Sequence, residues 1–167
     1  RPIIILSILI IPSFIGILFP SLYNSFTLLI YATIFSIGFN AINAFEHTNS
    51  HNRLFKNKNL KGKDKIIFNV LEIYCEFVLN FMFARIPNWY RIQHVIIHHV
   101  EDNGIEDTQS TLPYDRSSFI DFTRCALRFT ISGLFSIDIL KYLIKRKRKK
   151  VISQLAIGMI FYYALLI

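Results

Sequence analysis

All five histidines of the chain fall in two short clusters, His47-Thr-Asn-Ser-His51 and His94-Val-Ile-Ile-His98-His99. In helical geometry His47 and His51 stand at i and i+4, one above the other on one face, and His94 and His98 repeat that spacing. His99 then lies about 100° further round the helix. Two imidazoles at i and i+4 suit one metal ion, and a third turned away from them reaches a neighbouring ion. Neutral imidazole is a good ligand for iron, zinc, copper and nickel, so the spacing by itself leaves the metal open. A lone histidine beside a membrane is ordinarily a hydrogen-bonding residue. Two such clusters, with no histidine elsewhere, point to metal binding. Acidic and amide groups lie close by: Glu46 beside His47, and Glu101, Asp102, Asn103 and Asp107 after His99. They are candidates for orienting imidazole N–H groups, Asn103 and Asp107 foremost.

Other chemistries are absent from the pattern. HExxH does not occur, which argues against a zinc metalloprotease. No Glu-x-x-His pair occurs either, so the carboxylate-rich di-iron bundle does not fit. Cys75 and Cys125 make neither a metal-binding motif nor a disulfide framework, and read as small buried hydrophobes.

The elements that must position these histidines are helical and largely apolar. Of the 167 residues, 53% are apolar and 18% charged, against about 45–50% and 25% in a typical soluble domain. Residues 2–45 contain no charged residue and no histidine, which excludes an ordinary soluble or disordered chain. Residues 3–20 and 25–45 predict two membrane helices in a tight hairpin, and 151–167 a third, left incomplete at Ile167. The chain is therefore expected to be part of a longer polypeptide. The net charge of +8 rests on lysines and arginines between Arg53 and Lys150, Arg1 excepted. These bases flank apolar spans, so the positive-inside rule accounts for them better than nucleic-acid binding and puts 46–150 on the cytoplasmic side. Within that segment 52–65 reads as a basic loop. Residues 66–86 read as a helix with the polar stripe Asn69, Glu72, Glu76 and Asn80, lying at the interface or facing a polar site. Residues 117–144 repeat the theme with Asp121, Arg124 and Arg128. Trp89 and Tyr90 suit an interfacial aromatic belt, and the run Lys145–Lys150 suits anionic lipid head groups.

The HxxxH cluster just after a membrane hairpin, followed some forty residues later by HxxxHH, resembles the membrane fatty acid desaturase family. The string 98–116 (HHVEDNGIEDTQSTLPYDR) resembles the stretch that follows the second histidine box in bacterial members. The resemblance covers nearly the whole chain. It implies an all-α membrane fold with a helical hairpin, interfacial helices and a cytoplasmic histidine-box site. It also implies a single partial domain over 1–167, whose third box, (H/Q)xxHH, would lie beyond a fourth membrane helix. His47, His51, His94, His98 and His99 are then ligands of a dinuclear iron centre that uses O2 and electrons from an external donor such as a ferredoxin, a rubredoxin or a cytochrome b5. The implied substrate is a fatty acyl chain carried on CoA, a carrier protein or a lipid. Five histidines are too few for two ions, so the fragment alone is expected to be inactive. The same scaffold serves hydroxylases, monooxygenases and ketolases of acyl, alkane or carotenoid substrates. A reading of another class is a non-catalytic membrane metal- or haem-binding protein.

Overall fold

The computed structural model describes residues 2–22, 24–55 and 59–166; positions 56–58 of the expected basic loop and Ile167 lie outside the described residues. Among the described residues every regular element is helical and no strand occurs. The chain divides into two compact units, Arg1–Arg85 and Ile86–Ile167.

In the first unit, α1 (Pro2–Leu9) and α2 (Ile11–Leu18) occupy the stretch expected to be one continuous span. The helix breaks because Pro12, without an N–H, cannot continue the ladder; instead the Ser13 and Phe14 N–H groups both turn to the Ile10 carbonyl, at 3.0 and 3.3 Å. Helix α3 (Ser25–His51) begins at a reciprocal cap. Asn24 Oδ1 accepts from the Phe26 and Thr27 amides at 3.0 Å each, and Thr27 Oγ1 accepts from the Asn24 amide at 2.8 Å. With 27 residues, α3 is, among the described residues, the one helix long and apolar enough to cross a membrane. Helix α4 (Gly62–Ile73) runs through a π-helical stretch, Tyr74–Leu79, into α5 (Asn80–Met82). The core joins Leu6 and Ile10 to Ile42 and Phe45 of α3 and to Cys75, Leu79 and Phe83. Ser7 Oγ meets Tyr74 Oη at 2.8 Å.

Of the expected polar stripe, Glu72 finds its partner just after α3 and Glu76 finds one within the stripe itself. Glu72 takes Arg53 Nη1 at 2.5 Å, and Glu76 accepts from Asn80 Nδ2 at 3.5 Å. Arg85 donates to both Asn43 and Glu46 and lies over the Phe39 ring, 4.9 Å from its centroid. The last turns of α3, which carry the first histidine cluster, are thus held by ion pairs on two sides.

The second unit opens with Pro87 and Asn88, the latter left-handed at φ 65°. Then α6 (Trp89–Arg91), a π-helical stretch Ile92–His98, and α7 (His99–Glu101) run on as one rod. After a looped segment come α8 (Phe119–Phe135), α9 (Ile137–Lys145) and α10 (Lys149–Ala164). The single helix expected over 117–144 is therefore two. Ser136 adopts a left-handed conformation, φ 54°, and Asp138 stands in the first turn of α9, where a carboxylate favours a helix start. Arg128 reaches across the break to Asp138 at 3.5 Å. The core packs Ile92 and Ile97 with Ile139, Tyr142 and Leu143 of α9 and Leu155 of α10. Gly158 lets α10 come down on the turn before the second histidine cluster: a Cβ there would fall 2.1 Å from the Pro87 carbonyl oxygen. Asn88 Nδ2 adds a bond to the Gln154 carbonyl at 3.3 Å.

Candidate metal centre

In the first unit the α-helical spacing delivers what it predicts. His47 and His51 lie in the final turns of α3 with ring centroids 4.9 Å apart. Glu46 precedes them, buried, with its carboxylate engaged by Arg85. The sequence offered Glu46 as an orienting group for imidazole; in the structure its carboxylate pairs with the half-buried guanidinium of Arg85.

In the second unit the π-helical stretch changes which histidines meet. Its ladder pairs residue i with i+5, and the His99 amide accordingly donates to the His94 carbonyl. The residue standing over His94 is therefore His99, with ring centroids 4.6 Å apart, whereas His94 and His98 are 5.6 Å apart with nearly parallel rings. The expected sharing of a face by His94 and His98 holds, while the expectation that His99 is turned away is corrected: it joins them. The two Nε2 atoms of His94 and His99 are 3.3 Å apart. That separation suits a hydrogen bond between one protonated and one bare nitrogen. It also suits two nitrogens on one ion, because metal–nitrogen bonds of about 2.0–2.1 Å at a near-tetrahedral angle put their nitrogens roughly 3.3 Å apart. Tyr90 lies one turn before, its ring centroid 5.3 Å from that of His94.

His98 is oriented separately. Its Nδ1 meets Asp107 Oδ2 at 2.6 Å, and Asp107 is 1% exposed. A buried carboxylate on Nδ1 orients the ring and turns Nε2 away from it, an arrangement common behind metal-bound histidines. The loop that carries Asp107 is built to hold it. Asp107 Oδ2 also accepts from the Asn103 amide at 3.1 Å and Oδ1 from the Gln109 amide at 2.9 Å. Ser110 Oγ donates to the Asn103 carbonyl at 2.9 Å. Asn103 acts through its backbone at a left-handed φ of 60°; Asp102, also left-handed at 44°, makes the turn. Glu101 does not touch the imidazoles. It accepts from Tyr142 Oη at 2.5 Å and Arg146 Nη2 at 2.9 Å.

The donor set suits a metal: clustered imidazoles, two of their nitrogens at chelating separation, and a buried carboxylate behind a third ring. Sequence reasoning missed three neighbours. Tyr142 and Arg146 lie over forty positions away from Glu101, beyond any local pattern. Gln93, beside His94, is 1% exposed and neither end of its amide has a hydrogen-bond partner; a polar residue at a core position of the rod was the signal available for it.

The two thiols differ. Cys75 is buried, and burial, followed by the charges of Glu76 and Glu72, pushes it up to about 12, so it stays a protonated, inert thiol. Cys125 is half-buried and lines an apolar cavity of about 390 Å³ beside α8 with Tyr114, Arg116, Phe122 and Phe129. Of the six cations at 145–150, Lys145 pairs with Glu106, and Arg146 with both Glu101 and Glu106. The remaining four, Lys147–Lys150, form the exposed turn into α10.

No family model matches this chain, and no curated protein or solved structure matches it either.

Proposed function

We propose that the chain is part of a membrane-bound, O2-dependent iron enzyme that desaturates fatty acyl chains. The observation that carries the reading is the pairing of HxxxH and HxxxHH, each on a helix that holds its rings within ligating reach of one another inside its own unit. His47, His51, His94, His98 and His99 supply ligands to the iron centre, with Asp107 orienting His98. Iron held there would activate O2, the oxidant that an unactivated methylene C–H bond requires, since such a bond offers nothing to a general base. The chain's own groups do the rest. Asp107 orients the His98 ring through Nδ1, and the other imidazoles would offer their ring nitrogens to the metal. Helix α3 anchors the first cluster in the bilayer, facing the cytoplasm, and the interfacial helices keep the acyl chain at the membrane surface. The cations 147–150 rest on anionic head groups, and the electron donor is a separate protein.

The test is the reading frame and its product. An (H/Q)xxHH cluster encoded after Ile167 and a new double bond in the fatty acids of expressing cells, lost on His98→Ala with membrane insertion retained, are the expected results. A His98→Ala full-length protein forming product at the wild-type rate overturns the ligand assignment. A new hydroxyl in place of the double bond would assign the hydroxylase alternative.

A further inference from the structure

The loop between His99 and Asp107 is pinned at both ends by one helix. At its start, Glu101 is held by Tyr142 Oη at 2.5 Å and Arg146 Nη2 at 2.9 Å, its side chain only 14% exposed. At its end, Glu106 is held by the same Arg146 Nη2 at 3.0 Å and by Lys145. The guanidinium lies over the Tyr142 ring, 5.4 Å from its centroid. Tyr142 itself is set in the core with Ile139, Leu143 and Leu155, so the anchor is rigid.

Between the pins the loop is tight. The Gly104 amide donates to the Glu101 carbonyl at 2.7 Å, and the Asp107 amide to the Gly104 carbonyl at 3.1 Å. A Cβ at Gly104 would fall 2.7 Å from the Glu101 oxygen. Asp102 and Asn103 both sit at positive φ, a conformation that costs a non-glycine residue on the order of 1 kcal/mol or more and persists only where its surroundings enforce it. Asp107, next to the second pin, carries the carboxylate on His98. Exposed ion pairs ordinarily contribute about 0–1 kcal/mol. Here one guanidinium nitrogen bridges two carboxylates, and one of those also takes a buried phenol.

We propose that Tyr142 and Arg146 are positioning residues of the histidine cluster: they clamp the 101–107 loop at both ends and thereby keep Asp107 on His98. This deepens the reading of the histidines as metal ligands and rests on it. The clamp links α9 to imidazole orientation through three steps, Tyr142/Arg146 to Glu101/Glu106, loop to Asp107, and Asp107 to His98 Nδ1.

The experiment is a Co2+ titration of the chain in lipid nanodiscs, read by visible absorption, together with amide hydrogen exchange over 101–107. Tyr142→Phe removes one oxygen and leaves the core packed; Glu106→Gln releases the other end without touching the core at all. The combined variant is expected to bind Co2+ about tenfold more weakly, the low end of the loss typical for groups that support a ligand, and to exchange faster over 101–107. In an Asp107→Asn background the same changes are expected to add little, because the residue through which they act is already disabled. Wild-type Co2+ affinity in the combined variant, or an undiminished loss in the Asp107→Asn background, overturns the clamp while leaving the ligand reading in place. A wild-type chain that binds no Co2+ refutes the ligand reading itself, and the clamp with it.

Discussion

At the scale of single residues, the decisive contact is a buried carboxylate behind an imidazole. Asp107→Asn keeps the size of the side chain and removes the charge that orients the His98 ring through Nδ1, so metal binding should weaken by about 10–100-fold with the helical content unchanged; a metal titration with circular dichroism checks both. Tyr142 has its own signature. Burial first, then its bond to Glu101, pushes its phenol up to about 12, above the ordinary value of about 10. The folded state therefore favours the neutral phenol. That stabilisation is complete below about pH 10 and is lost as the pH rises through about 12. An alkaline absorbance titration should show a late tyrosine that Tyr142→Phe removes. The thiols give a third reading: at neutral pH a maleimide should label Cys125 and spare Cys75 until the chain is unfolded. The clustering of the histidines was legible in the sequence, because helical spacing alone brings such rings together. Their partners were not. Asp107 lies nine positions from His98 and was within reach of local reasoning, whereas Tyr142 meets Glu101 only because α9 packs on the rod that carries the cluster.

At the scale of elements, periodicity foretold helices and the breaks came from other chemistry. Pro12 interrupts the first apolar run by removing one donor, and the residue was visible in the sequence. Ser136 divides the 117–144 stretch by turning left-handed, for which Asp138 in the following turn was a weak signal. The π-helical register of Ile92–His98 had no signal in the spacing: HxxxHH reads as i,i+4 until the ladder shifts to i,i+5 and puts His99 over His94. That rod is also held from behind, at Pro87, by the missing side chain of Gly158. Gly158→Ala should destabilise the second unit by about 1–3 kcal/mol, as overpacking a close contact does, because the carbonyl it would strike belongs to backbone and cannot rotate away. Thermal unfolding of the variant measures the loss, and an unchanged midpoint would contradict the close approach.

At the scale of the whole molecule, the amino-acid pattern assigned the apolar share of the chain to a bilayer and the basic share to its cytoplasmic face. One described helix, Ser25–His51, has the length and composition to cross. Ile37 lies within it and is 62% exposed, so in a bilayer-spanning α3 Ile37→Arg would put a charge against lipid at a cost of about 2.5–3.5 kcal/mol. Carbonate extraction of expressing membranes should release that variant and retain the wild type. The apolar run Ile3–Gly16 and helix Lys149–Ala164 are shorter; Pro12 lies within the one and two lysines open the other.

The central claim is that these five histidines are metal ligands. It is met most directly by X-ray absorption at the iron edge on the chain loaded with Fe2+ under argon, beside a His94→Ala/His99→Ala variant. The account predicts the scattering of imidazole rings bound to iron, a ligand suited to that metal, and its loss or marked reduction in the variant. Iron that fails to bind, or an identical spectrum when both histidines are gone, would contradict it.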